Sequence, residues 1–417
     1  MRKLFILFSL IAISKFTLAQ DFVITKFGVK NDSTLLQTKA IQKVIDQAFE
    51  KGGGTIVIPK GSYLSGALFF KKKTKLLLQK GAVLKGSDEI KDYPFIPSRM
   101  EGTSLTYFAA LVNAHQVDGF SINGPGSING NGLKFWKQFW AGRDSTAKIK
   151  RTLTNLEISR PRLVFIWGSN DVKIQNVKFL NSGFWTTHLY QCNNVLIENT
   201  DIRSPFAPVK APSTDGIDID VCKKVTIKNC YISVNDDAIC IKGGKGPDAH
   251  LRPENGIVED ILIENCTIGN SHSTLTFGSE SIHAKNVIMR NCVVNNNCPI
   301  LKFKMRGDTF QLFEDITIEN ITGKSGAVID LNPWSQFFDL GKSTAKPFGT
   351  IKNVTMKNIK VKSNKFGEMN GNPLDLVSNF VFKDIEVTTK NPVLTNKYQD
   401  VKFENVMVNG APLVIKK

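Results

Sequence analysis

One short phrase recurs through the second half of the chain and constrains its fold more than any other feature. The phrase is an apolar residue, any residue, a second apolar residue, any residue, and then Asn or Asp. Alternation with a period of two is typical of a β-strand, and the polar closing residue indicates a turn. Successive closing residues lie 21 to 38 residues apart, which predicts equivalent strands joined by loops of different length. They are Asn176, Asn199, Asn229, Asn265, Asn291, Asn320, Asn358, Asp384 and Asn405.

The repeat predicts an all-β fold, namely a single-stranded right-handed parallel β-helix in which the apolar positions of successive coils stack inward. The first coil of such a solenoid exposes strand edges and needs a cover. Residues 34–51 are predicted to form an N-terminal capping helix, with Asp32 or Ser33 as its N-cap and Gly52 as its stop. Its apolar face would consist of Ile41, Val44, Ile45, Ala48 and Phe49.

The first 19 residues have the features of a secretory signal peptide: basic Arg2 and Lys3, an apolar run, and small residues before a cleavage point near Ala19. Residues 20–417 contain no linker and are predicted to form a single β-helix domain. No later segment is apolar for long enough to cross a membrane. We therefore expect an exported monomer, periplasmic or extracellular, that does not insert into a membrane.

The chain is strongly basic, with 54 Lys and Arg residues against 37 Asp and Glu residues and a formal net charge of +17. Without the three basic residues of the signal segment the charge is roughly +14. An exported basic protein suits an anionic partner, such as an acidic polysaccharide, a nucleic acid or a membrane surface. No zinc-finger spacing or RNA-binding signature is present, so the composition favours an acidic polysaccharide over nucleic acid.

Seven cysteines are present, an odd number that cannot pair completely. Cys230, Cys266 and Cys292 each follow an Asn in equivalent phrases of the repeat. Equivalent positions of a solenoid stack on one another, so we expect these thiols to be small buried groups rather than disulfides. No close CxxC pair is present, and no metal ligation by cysteine is predicted.

Five aspartates cluster in the segments "STDGIDID" and "VNDDAIC". When the apolar pairs of successive coils are aligned, Asp215 falls level with Asp237, and Asp236 falls level with His272. Adjacent coils are about 4.8 Å apart, so these side chains are expected to crowd one outer patch. Lys302 and Lys304, in a later coil, both face outward in the same frame.

Carboxylates this close cannot all ionise freely, so at least one pKa is expected to be raised. A carboxyl of raised pKa beside one of ordinary pKa supplies the general acid and the general base of glycoside hydrolysis. Two other interpretations remain open from the residues alone. The aspartates could form a solvated acidic ridge, or they could bind calcium.

Four segments in order carry a resemblance to a known family. "STDGIDID", "NDDAICIKGG", "SHSTLTFGSE" and "LKFKMRGD" resemble the signature segments of the polygalacturonases, glycoside hydrolase family 28. "GGGTIVIPKGSYLSG" and "GPGSINGNG" also look like phrases of that family. The resemblance covers nearly the whole chain after the signal segment. It implies a right-handed β-helix and an inverting hydrolysis that needs no cofactor and no metal.

The resemblance also implies roles for the aligned residues. Asp236 would be the general acid, and Asp215 and Asp237 would position and deprotonate the attacking water. His272 would lie beside the acid, where it would tune the proton or hold the sugar. Lys304 would match the family lysine that binds a substrate carboxylate.

Other residues are candidates with less family support. Lys302 stands where the family has an arginine; it keeps the positive charge but loses the planar, bidentate fork. Ser271 and Ser273 replace glycines that flank the motif histidine. The family tyrosine of a later coil is missing, and Trp334 is a candidate to replace it as a stacking platform. Two further candidates for a sugar subsite are His188 and Trp185.

The expected function is hydrolysis of α-galacturonosyl linkages in pectin, an acidic plant-type polysaccharide, in an exo-acting, polygalacturonase-like manner. Hydrolysis of rhamnogalacturonan or of another pectic glycan by the same family chemistry is the first alternative. A calcium-dependent polysaccharide lyase and a non-catalytic glycan-binding solenoid are the others.

Overall fold

A computed structural model describes residues 20–416, so the predicted signal peptide at residues 1–19 lies outside the described residues. The chain winds into coils whose strands pair in parallel and form three faces along the length of the solenoid. Most coils contribute one strand to each face. This arrangement is the predicted parallel β-helix.

We call the faces A, B and C. Face A contains Asp21–Val23, Gly54–Ile58, Thr74–Leu78, Ser121–Asn123, Asn170–Gln175, Asn193–Glu198, Lys223–Lys228, Ile257–Glu264 and Val401–Val408. Face B contains Gly61–Ser65, Ala82–Gly86, Ser127–Asn129, Lys178–Leu180, Asp201–Arg203, Tyr231–Ser233 and Thr267–Ile268. Face C contains Leu68–Phe70, Val112–His115, Val164–Trp167, Thr187–Tyr190, Ile217–Asp220, Ile239–Lys242, Leu275–Phe277, Pro299–Arg306, Ala327–Trp334 and Val414–Lys416.

Four long strands turn the corner from face A to face B without a break: His283–Asn295, Gln311–Ser325, Gly349–Met369 and Leu376–Asn396. The last two of these also reach face C. Phe95–Met100 and Thr103–Phe108 form a separate antiparallel hairpin. Ala411–Pro412 pairs antiparallel with the last strand of face A. The helices are α1 (Thr38–Glu50) and α2 (Leu133–Lys148), with 3-10 turns at Ile24–Phe27, Ile90–Asp92, Asn155–Glu157 and Ala249–Leu251.

The closing residue of each sequence phrase makes the corner between faces A and B. All nine closing residues adopt the left-handed conformation, with φ between 50° and 60°. Asn and Asp tolerate this region better than other residues with a side chain. The Asn side chains also bond from coil to coil, as where Asn199 Nδ2 donates to Asn176 Oδ1 at 3.2 Å. The repeat therefore specifies both the strands and the turns that end them.

The capping helix is shorter at its N-terminus than predicted. It begins at Thr38, and its N-cap is Gln37 rather than Asp32 or Ser33. Asp32 instead accepts hydrogen bonds from Thr34, and Leu36 forms a β-bridge with Leu64, so the preceding residues are held in a turn and an extended segment. The C-terminal boundary agrees, because Gly52 follows the helix with a positive φ of 92°.

The predicted apolar face of α1 is largely correct. Ile41, Val44, Ile45 and Ala48 are buried against the first coil. Phe49 is the exception, since it is 43% exposed and lies beneath the ammonium group of Lys71. The helix covers the N-terminal end of the solenoid as expected.

Helix α2 was not predicted from the sequence. It is inserted between face B and face C of one coil and buries Phe135, Trp136 and Phe139. Trp140, one turn further along than Trp136, donates its indole N–H to the carbonyl of Lys210 at 2.8 Å. This contact ties α2 to the loop that precedes Asp215.

The cysteines behave as predicted for solenoid positions. All seven are free thiols, and six of them, including Cys230, Cys266 and Cys292, are buried. Within the described residues, no helix is both long and apolar enough to cross a membrane.

Candidate active site

The coil alignment made from the sequence matches the register of face C. Ile217 pairs with Ile239, which pairs with Leu275, which pairs with Leu301. The backbone continues this register before the strands begin, because the amide following Asp215 donates to the carbonyl of Asp237 at 3.0 Å. Likewise, the His272 amide donates to the carbonyl of Asp236 at 2.8 Å. The solenoid therefore places these four residues at matching positions of adjacent coils.

Asp237 is buried and held by the coils that follow it. The ammonium of Lys304 lies 2.6 Å from Asp237 Oδ2, and Ser273 Oγ donates to Oδ1 at 2.7 Å. Burial alone would raise the pKa of Asp237, but the charges of Lys304 and Lys302 and these hydrogen bonds hold it below its usual range. Asp237 is therefore a carboxylate that stays ionised.

Asp236 differs from its neighbour in exposure. Its side chain is 28% exposed at the surface of the cleft, whereas that of Asp237 is 1% exposed. His272 Nδ1 lies 3.2 Å from Asp236 Oδ1, and this hydrogen bond raises the pKa of the imidazole. Asp236 is thus the member of the set that a substrate can reach directly.

Asp215 has the opposite electrostatic environment from Asp237. Burial and the negative charge of Asp236 raise the pKa of Asp215 to about 7. Asp218, fully buried below it, has a raised pKa because of burial and the Asp215 charge. Crowding of the carboxyls thus adds to burial in raising these two pKa values, the direction expected from the sequence.

A second lysine lies under the site, and sequence reasoning missed it. Lys242 ends the strand Ile239–Lys242 and is buried, with its ammonium 3.8 Å from Asp215 Oδ2 and 3.1 Å from Glu280 Oε2. Gly278 directly follows the strand of the next coil, where its amide donates to the carbonyl of Ile241 at 3.0 Å. A Cβ at position 278 would lie only 3.2 Å from Lys304 Cβ, so the glycine makes room for Lys304.

These side chains form the floor of a cleft of about 790 Å³. On its N-terminal side, α2 contributes Trp140 and Arg143, and residues 210–213 form an adjacent wall. On its C-terminal side, Trp334 and Phe337 complete the lining. The Pro-rich loop before Asp215 therefore lines the cleft. The loop after Lys242 contributes residues 245–248 and Arg252 to a neighbouring cavity.

Two of the sugar-subsite candidates lie in the cleft and one does not. Trp185 lines it beside Lys242, whose ammonium is 4.6 Å from the ring centroid. Trp334 lines it beside Lys304, at 4.7 Å. His188 is fully buried between Arg162, at 2.7 Å, and Asp220, at 3.4 Å, and burial lowers its pKa to about 4. The structure thus corrects the assignment of His188, which supports buried charges rather than the cleft wall.

The lysines predicted to bind substrate both line the cleft, but they differ in availability. The Lys304 ammonium is bound to Asp237. The Lys302 ammonium lies 3.4 Å from Asp330, and the side chains of Lys302 and Asp330 are each less than one fifth exposed. Arg306, a possible substitute for the family arginine, is buried and bound to Asp308 and to the carbonyls of Gln336 and Phe337. It holds the loop after Trp334 and does not reach the cleft.

Two of the aspartates belong to a cluster of potential metal ligands. Asp215, Asp237 and Cys240 offer ligand atoms within 4.8 Å of one another. Calcium requires oxygen ligands, and one of these three is a thiol. Ammonium groups already lie 2.6 Å from Asp237 and 3.8 Å from Asp215, where they would repel a cation. The donor set does not fit calcium.

Other cleft residues had only weak sequence signals. Lys242 could have been found, since the alignment that matches Ile219 with Ile241 also puts it on the outward face. Glu280 follows a strand end and has no periodic signal. Glu101 and the α2 residues come from distant segments, and only the fold brings them to the cleft.

Comparisons with known proteins agree with this site. The chain matches the family described as glycosyl hydrolases family 28 over residues 51–411.

The chain belongs to glycosyl hydrolase family 28.

This membership confirms the sequence-based prediction of a glycoside hydrolase. A probable polygalacturonase of Vitis vinifera is 30% identical over 54% of this chain, and this chain spans 45% of that protein. The exo-poly-alpha-D-galacturonosidase of Dickeya chrysanthemi is 24% identical, covering 92% of this chain and 70% of that protein. The endo-polygalacturonase of Pectobacterium carotovorum subsp. carotovorum is 27% identical, covering 80% of this chain and 86% of that protein.

Solved structures confirm the right-handed β-helix. An exopolygalacturonase from Thermotoga maritima superimposes with a TM-score of 0.72 at 22% identity, covering 94% of this chain and 92% of that one. A surface adhesin from Streptococcus pneumoniae also superimposes, with a TM-score of 0.55 at 16% identity, covering 95% and 100% of the two chains. The solenoid therefore does not by itself decide the activity.

Proposed function

We propose that this protein hydrolyses α-galacturonosyl linkages in pectin, that it removes residues from chain ends, and that it works after export. The observation that carries the proposal is that three adjacent carboxyls differ in exposure and in their charged neighbours. Asp236 is exposed beside His272, Asp237 is ionised beside Lys304, and Asp215 has a raised pKa. A solvated acidic ridge would not bury two of its three members.

The arrangement supports the following chemistry. Asp236 gives a proton to the oxygen of the scissile glycosidic bond as the bond from that oxygen to the anomeric carbon breaks. A water oxygen forms the new bond to the anomeric carbon, and the proton that this water loses passes to Asp237, with Asp215 helping to position the water. Burial and the negative charge of Asp236 keep a proton on Asp215 up to about pH 7.

The cleft favours an acidic sugar. Lys302 and Lys304 lie on one side of the carboxylates, beside the Trp334 ring. Arg143 lies on the opposite side, on α2. Positive groups on both sides suit a chain that carries one carboxylate per sugar, and a tryptophan face suits the apolar side of a sugar ring.

An exo mode requires a groove that is closed at one end. Helix α2 supports this mode because it stands on the N-terminal side of the cleft and its Trp140 indole is bonded to the loop before Asp215. Of the similar proteins described above, the Dickeya chrysanthemi and Thermotoga maritima proteins have names that specify exo action, and the Pectobacterium carotovorum protein has a name that specifies endo action. Because the names disagree, the support for the exo mode comes from the wall that α2 forms in this protein.

The test is a product assay on polygalacturonate and on short oligogalacturonides, with chelator present and with rhamnogalacturonan as the comparison substrate. We expect saturated monogalacturonate from polygalacturonate and none in the Asp236→Asn variant, because an amide cannot donate the proton efficiently. The loss of turnover should be at least about 100-fold. Circular dichroism of the variant controls for folding.

Each alternative has its own outcome. Saturated oligomers of intermediate length would replace the exo mode with an endo mode. Turnover of rhamnogalacturonan alone would change the substrate. An unsaturated product that absorbs in the ultraviolet would indicate a lyase, and binding without any product would indicate an adhesin-like solenoid. Near-normal turnover by the Asp236→Asn variant would overturn the assigned chemistry.

A further inference from the structure

Below the proposed catalytic set lies a buried charge cluster whose centre is the Lys242 ammonium. Three carboxyls surround this ammonium: Glu280 at 3.1 Å, Asp218 at 3.6 Å and Asp215 at 3.8 Å. All four side chains are buried, with at most 6% of any of them exposed. The Lys242 ammonium is therefore closer to Glu280 than to Asp215, which belongs to the proposed catalytic set.

Glu280 is fixed in this position from two directions. Ser279 Oγ donates to its second carboxylate oxygen. Its backbone carbonyl accepts hydrogen bonds from the amides of Gly243 and Gly244, immediately after Lys242, at 2.7 and 3.2 Å. The segment that carries the glutamate is therefore bound to the segment that carries the lysine, and the ion pair has little freedom.

Building on the proposed function, we propose that Glu280 is a positioning residue that holds the Lys242 ammonium away from Asp215 and so leaves Asp215 able to keep a proton. The Lys304 ammonium lies 2.6 Å from Asp237, which stays ionised. The Lys242 ammonium, below Asp215, lies 3.1 Å from Glu280 and 3.8 Å from Asp215. Two neighbouring aspartates with two neighbouring lysines thus reach opposite charge states. The residue that separates them is Glu280, the last residue of the segment "SHSTLTFGSE".

The charges around Asp215 are consistent with this assignment. Burial would lower the pKa of Lys242, but the neighbouring acidic groups, with Glu280 the largest contributor among them, together raise it. Lys242 in turn holds the pKa of Glu280 below its usual range. Neutralising Glu280 removes a negative charge from the cluster and frees the lysine for Asp215, so both effects lower the pKa of Asp215. The groups that face Asp215 are Asp218, Asp236, Asp237, Cys240, Lys242, His272, Lys304 and Arg160.

The experiment compares the native protein with Glu280→Gln in two readouts. The first is the pH dependence of kcat/KM on an oligogalacturonide. The second is carbon NMR titration of aspartate carboxyls, with Asp215 assigned from an Asp215→Asn variant. We expect Glu280→Gln to move both the alkaline limb and the Asp215 midpoint to lower pH by about one unit. Glu280→Asp, which keeps the charge but withdraws it by one methylene, should move them in the same direction by less.

Two further variants complete the design. Lys242→Met combined with Glu280→Gln removes both charges and should return the Asp215 midpoint towards the native value, because the ammonium that Glu280→Gln frees is then absent. Glu314→Gln is the matched control, because Glu314 pairs with Lys352 at 2.9 Å and does not line the cleft. It should leave both readouts unchanged.

An Asp215 midpoint that stays within a few tenths of a pH unit of the native value in Glu280→Gln and in Glu280→Asp overturns the inference. The NMR midpoint decides this without any turnover. If the native protein releases nothing from any pectic substrate while the midpoint still moves, the proposed function fails and the charge assignment stands. If turnover of the native protein is normal and the Asp215 midpoint does not move in the variants, the proposed function stands and the assignment of Glu280 fails.

Discussion

At the scale of single residues, the catalytic candidates are distinguished by their counter-ions rather than by their type. Asp237 and Asp215 occupy equivalent positions one coil apart, yet their pKa values are displaced in opposite directions. Lys304 is hydrogen-bonded to Asp237, whereas burial and the Asp236 charge raise the pKa of Asp215, and the nearest ammonium, that of Lys242, lies 3.8 Å from it. A residue-level account of this site therefore has to include the lysines.

Lys304→Met tests the first of these counter-ions. Without the ammonium, burial and neighbouring negative charges would raise the pKa of Asp237, so the base would be protonated at a higher pH. We expect the acidic limb of the kcat/KM profile to move to higher pH by at least about one unit, with kcat reduced across the range. This differs from a simple carboxylate-binding role, which would raise KM alone.

Lys302→Met is the matched comparison for that variant. Lys302 pairs with Asp330 at 3.4 Å and contributes less to the ionised state of Asp237 than Lys304 does. We expect a raised KM for uronate substrates with a smaller displacement of the acidic limb. Equal pH profiles in the two methionine variants would contradict the assignment of Lys304 to Asp237.

At the scale of elements, the corner between faces A and B is the unit that repeats. Its residues share a left-handed backbone and a side-chain amide or carboxylate, and several bond to the neighbouring coil. The strands need only alternate apolar residues, but the corner needs a residue that tolerates positive φ. This explains why the closing position is less variable than the spacing between copies.

Asn199→Ala tests the corner. Asn199 has φ of 51° and bonds to Asn176, so alanine loses the hydrogen bond and also strains the backbone. We expect the free energy of unfolding, measured in urea, to fall by about 1–2 kcal/mol. Asn199→Gly keeps the conformation accessible and should cost less. A glycine variant as unstable as the alanine variant would show that backbone strain is not the main term.

At the scale of the whole molecule, buried carboxyls make stability depend on pH in two directions. Asp237, Glu280 and Asp220 have lowered pKa values, so the stability that they contribute is present above the unfolded value near 4 and is lost as pH falls. Asp215 has a raised pKa of about 7. The stability from its proton is fully present below about pH 4 and is lost as pH rises to about 7.

Asp215→Asn separates these two contributions. The amide is neutral at every pH, so it removes the cost of burying the Asp215 charge above pH 7. We expect the melting temperature of the variant, relative to the native protein, to be higher at pH 8 than at pH 4, as measured by calorimetry. A difference in melting temperature that is the same at both pH values would indicate that Asp215 titrates normally in the folded chain.

The amino-acid sequence by itself determined the solenoid and the order of the coils. The period-2 phrase and its Asn corners need only neighbouring coils, so the register that brings Asp215, Asp237 and His272 together could be counted along the chain. The same counting failed at residues 34–37, where a turn and a β-bridge compete with the helix, and at α2, whose aromatic residues bury against distant segments.

Only the tertiary structure decided how the site is charged and walled. Small differences in interatomic distance decide whether Lys304 binds Asp237 and whether Lys242 lies closer to Asp215 or to Glu280. Burial decides that His188 does not reach the cleft. These distances and this burial arise from the packing of several coils at once. Local sequence determines which way a side chain points, but the packing of the neighbouring coils determines which charged group it contacts.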